Sequence, residues 1–162
     1  MVIDHIGIVV GSLEQGIRQW EKLFGYAQSS CIVTNTRQKV RVVFLSKKGS
    51  LTVKLLEPSE PTSPVSMLAR RGGGLHHLCF RCESLRVQIR LLEEKGAQLT
   101  VPPEPGEAFK NQDIAFLLVE KNLNIELIDT IEKEGWLGVA EDCSTTTIGA
   151  LAPPEGTNQG LS

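Results

Sequence analysis

The chain has 162 residues, of which 41% are hydrophobic and 22% are charged, as in an ordinary globular domain. Its net charge of −2 gives no reason to expect nucleic acid or an acidic membrane surface as a partner. No apolar run approaches the ~20 residues of a membrane span, and four cysteines without framework spacing predict a reducing, cytoplasmic location.

The first part of the chain predicts the element order βαβββ. Residues 3–10 have the pattern of a buried strand. Ser12, with Gln15 three residues later, forms a capping box for a helix that runs to Phe24 and stops at Gly25. Three further strands are predicted at 27–33, 40–45 and 51–56.

A linker and a second βαβββ series follow. Ser63-Pro64 begins a short helix, and three glycines end the linker. In the second series the predicted elements are a strand at 76–82, a helix at 84–95, a strand from 99 to 101 before a proline-rich loop, a strand at 113–119, a turn at 120–122 and a strand at 123–128. The chain therefore divides into a first module (1–58), a linker (59–74), a second module (75–130) and a tail (131–162) of low apolar content.

The two modules match one another at a constant offset of 72 positions. The matched pairs are His5 and His77, Lys54 and Glu126, Phe44 and Phe116, Leu45 and Leu117, Leu51 and Leu123, and Leu55 and Leu127. A constant offset without gaps indicates an internal duplication. It predicts an α+β fold in which two tandem βαβββ modules form one curved mixed sheet around a cavity, with the helices outside.

Strand alternation places the polar members of these pairs on the inner face. His5 lies on the opposite face of its strand from Ile6 and Ile8. By the repeat, His77, Lys54 and Glu126 also face the cavity, so the four side chains are expected to converge there. His76 is out of phase by one residue and is expected to face the helices or a strand edge.

Three separated segments resemble the signature segments of the vicinal oxygen chelate superfamily. They are residues 4–8 (Asp-His-Ile-Gly-Ile), 74–80 (Gly-Leu-His-His-Leu-Cys-Phe) and 124–128 (Asn-Ile-Glu-Leu-Ile). Within that superfamily the chain is most similar to the branch of glyoxalase I and methylmalonyl-CoA epimerase. The resemblance covers about residues 2–130, which are both modules.

The resemblance implies one divalent metal ion, such as Zn, Mn, Fe, Co or Ni, held by His5, His77 and Glu126. The family's remaining ligand position falls at Lys54, and a protonated ammonium has no lone pair to offer. The epimerase branch also uses a glutamate near the start of the third strand. Here residues 34–38 read Thr-Asn-Thr-Arg-Gln, without a carboxylate, which argues against a true epimerase.

Three interpretations of the quartet follow. His5, His77 and Glu126 can hold a metal ion alone, with Lys54 beside its open position to bind or protonate an anionic substrate. Alternatively, Lys54 and Glu126 form an ion pair that replaces the metal, and the cavity binds an anion with help from Arg41. In the third interpretation the quartet is only a satisfied polar cluster.

The expected function is a metal-dependent isomerase or lyase that stabilises the enolate of a small oxo or hydroxy acid or a thioester. Glu126 is then ligand and proton acceptor, and Lys54 stabilises the developing anion. The alternatives are a metal-free, non-catalytic binding protein for a small anion and, ranked third, a ring-cleaving dioxygenase. The expected partner is a small molecule, and the architecture is compatible with a homodimer.

Overall fold

The structure, a computed structural model, describes residues 1–119 and 123–138. The first series of elements is β1 (Val2–Val9), α1 (Leu13–Phe24), β2 (Ala27–Gln28), β3 (Val33–Asn35), β4 (Val40–Ser46) and β5 (Thr52–Pro58). After α2 (Ser66–Arg70), the second series is β6 (Gly74–Arg81), α3 (Leu85–Glu93), β7 (Gln98–Gly106), a 3-10 turn (Glu107–Phe109), β8 (Gln112–Val119) and β9 (Leu123–Ile128).

All the strands belong to one mixed sheet, whose main order is β2-β4-β5-β1-β6-β9-β8-β7, with β3 also paired to β4. The two copies meet at its centre, where β1 and β6 pair antiparallel. On either side, β1 pairs parallel to β5 and β6 pairs parallel to β9. The predicted fold class, α+β with two tandem βαβββ modules in one curved mixed sheet, is confirmed. The module boundaries at 58, 74 and 130 stay predictions.

The two long helices pack on the outer face of the sheet. Ser12 caps α1 by accepting a hydrogen bond from the backbone N–H of Gln15 (3.3 Å), and Gly25 ends the helix in the left-handed conformation. Leu13 is fully buried against β4 and β5, whereas Phe24 is half exposed at the helix end. The helix α3 buries Leu85 and Ile89 over β8 and β9 in the same way.

Two elements of the structure differ from the predicted ones. The strand predicted at 27–33 is broken into β2 and β3, both of which pair with β4. The predicted loop from Pro102 to Gly106 is instead the second half of β7. This strand is the edge of the sheet and pairs only with β8, so a proline can present its missing N–H to the unpaired side. The predicted turn at 120–122 and most of the predicted tail lie outside the described residues.

The segment after β9 packs across the end of the sheet. Trp136 forms an isolated bridge with Ser30, and its ring lies 6.3 Å from that of Phe44. The backbone N–H of Leu137 donates to the carbonyl of Ser29, and that of Cys31 donates to Gly135. Residues 130–138 are therefore called the strap.

Within the described residues, no helix is both long and apolar enough to cross a membrane.

Candidate active site

Each of the four central strands contributes one polar side chain to a buried quartet on the inner face of the sheet. These strands lie in the order β5-β1-β6-β9 and carry Lys54, His5, His77 and Glu126 respectively. All four side chains are 0–1% exposed. The structure therefore brings together the quartet that the repeat and strand alternation predicted.

Glu126 is the centre of this quartet. One carboxylate oxygen, Oε2, lies 2.9 Å from Nε2 of His5 and 3.1 Å from Nε2 of His77. The two Nε2 atoms lie 3.3 Å from each other. The other oxygen, Oε1, accepts a hydrogen bond from Nζ of Lys54 at 3.0 Å. The histidines thus contact one oxygen of the carboxylate, Oε2, whereas Nζ of Lys54 lies between the two oxygens, 3.0 Å from Oε1 and 3.3 Å from Oε2.

The charges of the quartet follow from its burial and its partners. Burial alone would raise the pKa of Glu126, but the ammonium of Lys54 and the hydrogen bonds of the histidines hold that pKa well below its ordinary value. Burial lowers the pKa of His77 to about 3, against the opposing effect of Glu126. At neutral pH the site therefore holds an ionised carboxylate and a neutral His77 imidazole.

Asp4 fixes the orientation of His5. Its Oδ1 lies 2.9 Å from Nδ1 of His5, and Lys133 of the strap lies 3.0 Å from the same oxygen. Burial alone would raise the pKa of Asp4, but the His5 hydrogen bond and Lys133 keep it lowered. Because an ionised carboxylate only accepts hydrogen bonds, we assign the Nδ1 proton to His5, so that its Nε2 faces Glu126.

Oε2 of Glu126 and the two histidine Nε2 atoms have the spacing of a metal-ligand set. Ligand atoms about 2.0–2.2 Å from one ion, at tetrahedral or octahedral angles, lie roughly 3 Å apart. Here His5 Nε2, His77 Nε2 and Glu126 Oε2 are 2.9–3.3 Å from one another. A carboxylate behind a histidine ligand, as Asp4 stands behind His5, is also the usual support of such a site. The donor set fits a divalent metal with three protein ligands.

His76 lies in a different place from the one expected. The register of β1 and β6 passes from Gly7 opposite His77 to Ile8 opposite Leu75, so His76 is an extra residue in a β-bulge. Its Nδ1 lies 2.8 Å from Nδ1 of His77, and its side chain lines the inner cavity. Burial lowers the pKa of His76. Strand alternation missed this residue because a bulge breaks the period of two.

Arg41 was expected to help bind an anion in the cavity, but the structure does not bring it to the quartet. Its neighbours Val40 and Val42 face the inner core, so alternation turns Arg41 to the outer face. There its guanidinium lies 2.8 Å from Glu57 and 3.0 Å from Glu14. Arg41 therefore pairs α1 with the sheet and does not line the cavity.

A carboxylate from the second module reaches the segment where the sequence lacks one. Thr36 donates a hydrogen bond to Oε1 of Glu107, which stands in the 3-10 turn. The other oxygen, Oε2, is buried and has no hydrogen-bond partner among the described residues. Sequence analysis of residues 34–38 alone could not find Glu107, because it is about 70 positions away and carries no repeat signal.

A cavity of about 170 Å³ lies next to the quartet. Its walls are Gln38, Val40, Leu56, Pro64, Val65, His76, Thr100, Val101, Phe116 and Asn124. The ring of Phe116 packs against that of His77, with centroids 5.5 Å apart, so one layer of side chains separates cavity and quartet. A larger, open groove of about 560 Å³ is lined by Gly11, Pro58 and residues of the linker, and it contains no member of the quartet.

Comparison with known proteins identifies one matching family and several relatives of similar length. A family profile for the glyoxalase/bleomycin resistance protein/dioxygenase superfamily matches residues 4–116. Bacillus subtilis (strain 168) YqjC, described as uncharacterized, is 34% identical over 134 residues, which are 82% of this chain and 93% of that protein. The ethylmalonyl-CoA/methylmalonyl-CoA epimerase of Cereibacter sphaeroides is 26% identical over 117 residues, which are 71% and 86% of the two chains.

Solved structures agree with these relatives. The crystal structure of methylmalonyl-CoA epimerase from Mycobacterium tuberculosis matches with a TM-score of 0.70 at 27% identity, over 79% of this chain and 87% of that chain. Streptomyces coelicolor methylmalonyl-CoA epimerase, solved in complex with 2-nitronate-propionyl-CoA, matches with a TM-score of 0.69 at 26% identity, over 83% and 97% of the two chains. The similarity thus extends over most of the chain.

Proposed function

Because the chain belongs to the glyoxalase/bleomycin resistance protein/dioxygenase superfamily, we propose that it is an isomerase-type enzyme. It moves a proton on the carbon next to the carbonyl of a small oxo or hydroxy acid or of a thioester. The observation that carries this proposal is the buried Glu126, with two histidines on one oxygen and Lys54 in contact with both oxygens, beside a small cavity. The relatives described as epimerases of acyl-CoA thioesters support the thioester class.

The residues have the following roles in this proposal. A divalent metal ion held by His5, His77 and Glu126 would supply Lewis-acid stabilisation of the enolate oxygen. Lys54 places a fixed positive charge at the same carboxylate and stabilises negative charge that develops nearby. Asp4 holds His5 in one orientation. Phe116 and His76 stand between cavity and quartet, so a side-chain movement of either admits the substrate.

The test of this proposal is solvent exchange at the α-carbon. The protein is incubated in D₂O with a panel of 2-methylacyl-CoA thioesters and of free oxo and hydroxy acids, and loss of the α-proton signal is followed by NMR. Exchange is expected with at least one substrate, and it should fall at least 100-fold in the Glu126→Gln variant. Binding of a compound without exchange would remove that compound as a substrate, and exchange with none of them would end the proposal.

A second candidate function is a metal-free binding protein for a small molecule. The direct ion pair of Lys54 and Glu126 favours it, because the ammonium already neutralises the carboxylate that a metal would need. The cavity of about 170 Å³ is smaller than the roughly 300–1,000 Å³ of pockets for drug-sized ligands, which argues against a large drug as ligand.

Metal content separates the two candidates. Protein purified without a chelator is compared with its His77→Ala and Lys54→Glu variants by elemental analysis. One equivalent of metal in the native protein, lost in His77→Ala, supports the enzyme with three ligands. No metal in the native protein but one equivalent in Lys54→Glu supports the metal-free binding protein.

A further inference from the structure

The inner cavity combines a small volume with uncharged walls. Among the described residues that line it, none is a lysine, arginine, aspartate or glutamate, and most are apolar. A dry cavity of roughly 150 Å³ holds a molecule the size of benzene. The volume of about 170 Å³ therefore suits a group of about six to eight non-hydrogen atoms.

Gln38 supplies one polar group that the protein itself leaves unused. Its Oε1 accepts a hydrogen bond from Nδ2 of Asn35 at 2.9 Å, and its backbone N–H donates to Oδ1 of Asn35 at 3.4 Å. Asn35 is 1% exposed, so this double contact fixes which end of the Gln38 amide is free. The free end, Nε2, is buried and has no hydrogen-bond partner among the described residues. A buried donor without an acceptor costs free energy that a ligand oxygen would recover.

The charges around the cavity disfavour a ligand whose acyl group carries a carboxylate. The ammonium of Lys54 is engaged by both oxygens of Glu126, at 3.0 and 3.3 Å, and lies 4.8 Å from the ring centroid of Phe109. On the side of Gln38, the turn residue Thr36 contacts the carboxyl group of Glu107, and no cation among the described lining residues stands there either. A carboxylate placed in the cavity would thus lose its hydration, and the residues that line the cavity offer it no cation.

From these observations we propose that the cavity selects an uncharged acyl group that, counted with its thioester sulfur, has about six to eight non-hydrogen atoms, and that Nε2 of Gln38 donates a hydrogen bond to its keto, hydroxyl or thioester oxygen. The inference rests on the proposed function and narrows its substrate class. It distinguishes this chain from relatives that are described as epimerases of methylmalonyl-CoA, whose acyl group carries a free carboxylate.

The experiment compares two thioesters that differ at one position. Isobutyryl-CoA and methylmalonyl-CoA carry a methyl group and a carboxylate, respectively, on the same α-carbon, and the carrier is identical. Their dissociation constants for the full chain are measured by calorimetry, which needs no turnover. Isobutyryl-CoA is expected to bind at least tenfold more tightly. Equal or tighter binding of methylmalonyl-CoA, or no binding of either at millimolar concentration, would overturn the inference.

The role of Gln38 is tested with an isosteric change. Gln38→Glu keeps the oxygen that Asn35 holds and replaces the free donor with an anion, so isobutyryl-CoA binding should weaken at least tenfold. The control Gln98→Glu makes the same change at an exposed position on β7 and should leave binding unchanged. Equal affinities of Gln38→Glu and the control, with equal thermal unfolding midpoints, would remove Gln38 from the site.

Failure of this inference and failure of the proposed function are distinguishable. Tight binding of isobutyryl-CoA without α-proton exchange on any compound would end the isomerase and keep the selectivity of the cavity. Exchange on methylmalonyl-CoA with the opposite order of affinities would keep the isomerase and end the selectivity.

Discussion

Gly7 has no side chain because the ring of His77 occupies the space where a Cβ would stand. A Cβ built on Gly7 would lie 2.1–2.5 Å from three atoms of that ring. The two residues face each other across the β1–β6 pair at the centre of the sheet. Gly7 is therefore required for the site, because the absence of a side chain there leaves room for the imidazole of His77.

Gly7→Ala is expected to displace His77 and to lower the stability of the fold by about 1–3 kcal/mol, as overpacking of a core does. Divalent metal affinity, measured by competition with a chelator, should fall at least tenfold. Gly11→Ala is the control, because a Cβ there meets no atom within 4 Å. Equal unfolding free energies of the two variants in urea would contradict this account.

In the proposed metal site, Lys54 decides whether three or four side chains of the quartet can act as ligands. In Lys54→Gln the ammonium is replaced by an amide oxygen that can coordinate a metal, and the positive charge beside the site is lost. The affinity for Zn²⁺ or Mn²⁺ is therefore expected to rise at least tenfold, measured by chelator competition. Lys110→Gln, which removes a lysine from an exposed pair with Glu132, is the control. Weaker or unchanged binding in Lys54→Gln would show that Lys54 does not oppose the metal.

Among the elements, the strap that follows β9 contacts the site through Lys133. Lys133 is 10% exposed, pairs with Asp4 at 3.0 Å and lies over the rings of Phe44 and Trp136 at 5.4 and 5.5 Å. Asp4 in turn holds His5. The strap therefore supports the quartet through one short chain of contacts, from Lys133 to Asp4 to His5.

Lys133→Met is expected to lower the unfolding free energy by about 1–3 kcal/mol, because it leaves a largely buried Asp4 carboxylate with one partner fewer. The ¹⁵N chemical shifts of the His5 ring should change as well, which a purely structural loss at the strap would not produce. Lys133→Arg should restore both values in part. Lys110→Met, at an exposed ion pair, should change neither; identical spectra of Lys133→Met and the native protein would refute the connection.

The bulge in β6 is the element that shapes the cavity. One extra residue in this strand turns both His76 and His77 toward the inner face, where an unbroken strand would show only one of them. The edge position of β7 has a similar consequence, because a strand with one free side accepts the prolines that would end a central strand. Neither feature is visible in the local sequence, since each depends on what lies beside the strand.

For the whole molecule, the duplication has a direct consequence for stability. The quartet joins both modules, with Lys54 and His5 from the first and His77 and Glu126 from the second. All four are buried at the seam of the two copies. The titration of these groups is therefore coupled to global unfolding.

In buffer without divalent metal ions, the protein is expected to lose stability as the pH falls below 6.5. Burial lowers the pKa of His77 from 6.5 to about 3, so between these values the unfolded chain binds a proton that the folded chain does not. The contribution of neutral His77 to the unfolding free energy is fully present above pH 6.5. Below that pH, the unfolding free energy falls by about 1.4 kcal/mol per pH unit. Glu126, whose pKa is also lowered, adds a slope of the same sign below pH 4.5.

The measurement is the urea unfolding free energy at several pH values from 7 to 4.5. His77→Gln should reduce the slope by up to one proton, and the exposed Lys48→Gln should leave it unchanged. A slope in His77→Gln equal to that of the native protein would show that His77 titrates normally in the fold.

The duplication, the α+β class and the convergence of His5, Lys54, His77 and Glu126 could all be predicted from the order of residues in the chain. A constant offset and the period of two in a strand are visible along the sequence, and together they leave only one face for these residues. By contrast, the outward direction of Arg41, the entry of His76 into the cavity and the contact of Glu107 with Thr36 became apparent only from the fold. The fold also shows which side chains support the quartet and its cavity: Asp4 and Lys133 lie behind His5, and Gln38 lies in the cavity wall. These placements depend on a bulge, a sheet edge and contacts between distant segments, and such contacts leave no periodic mark in the chain.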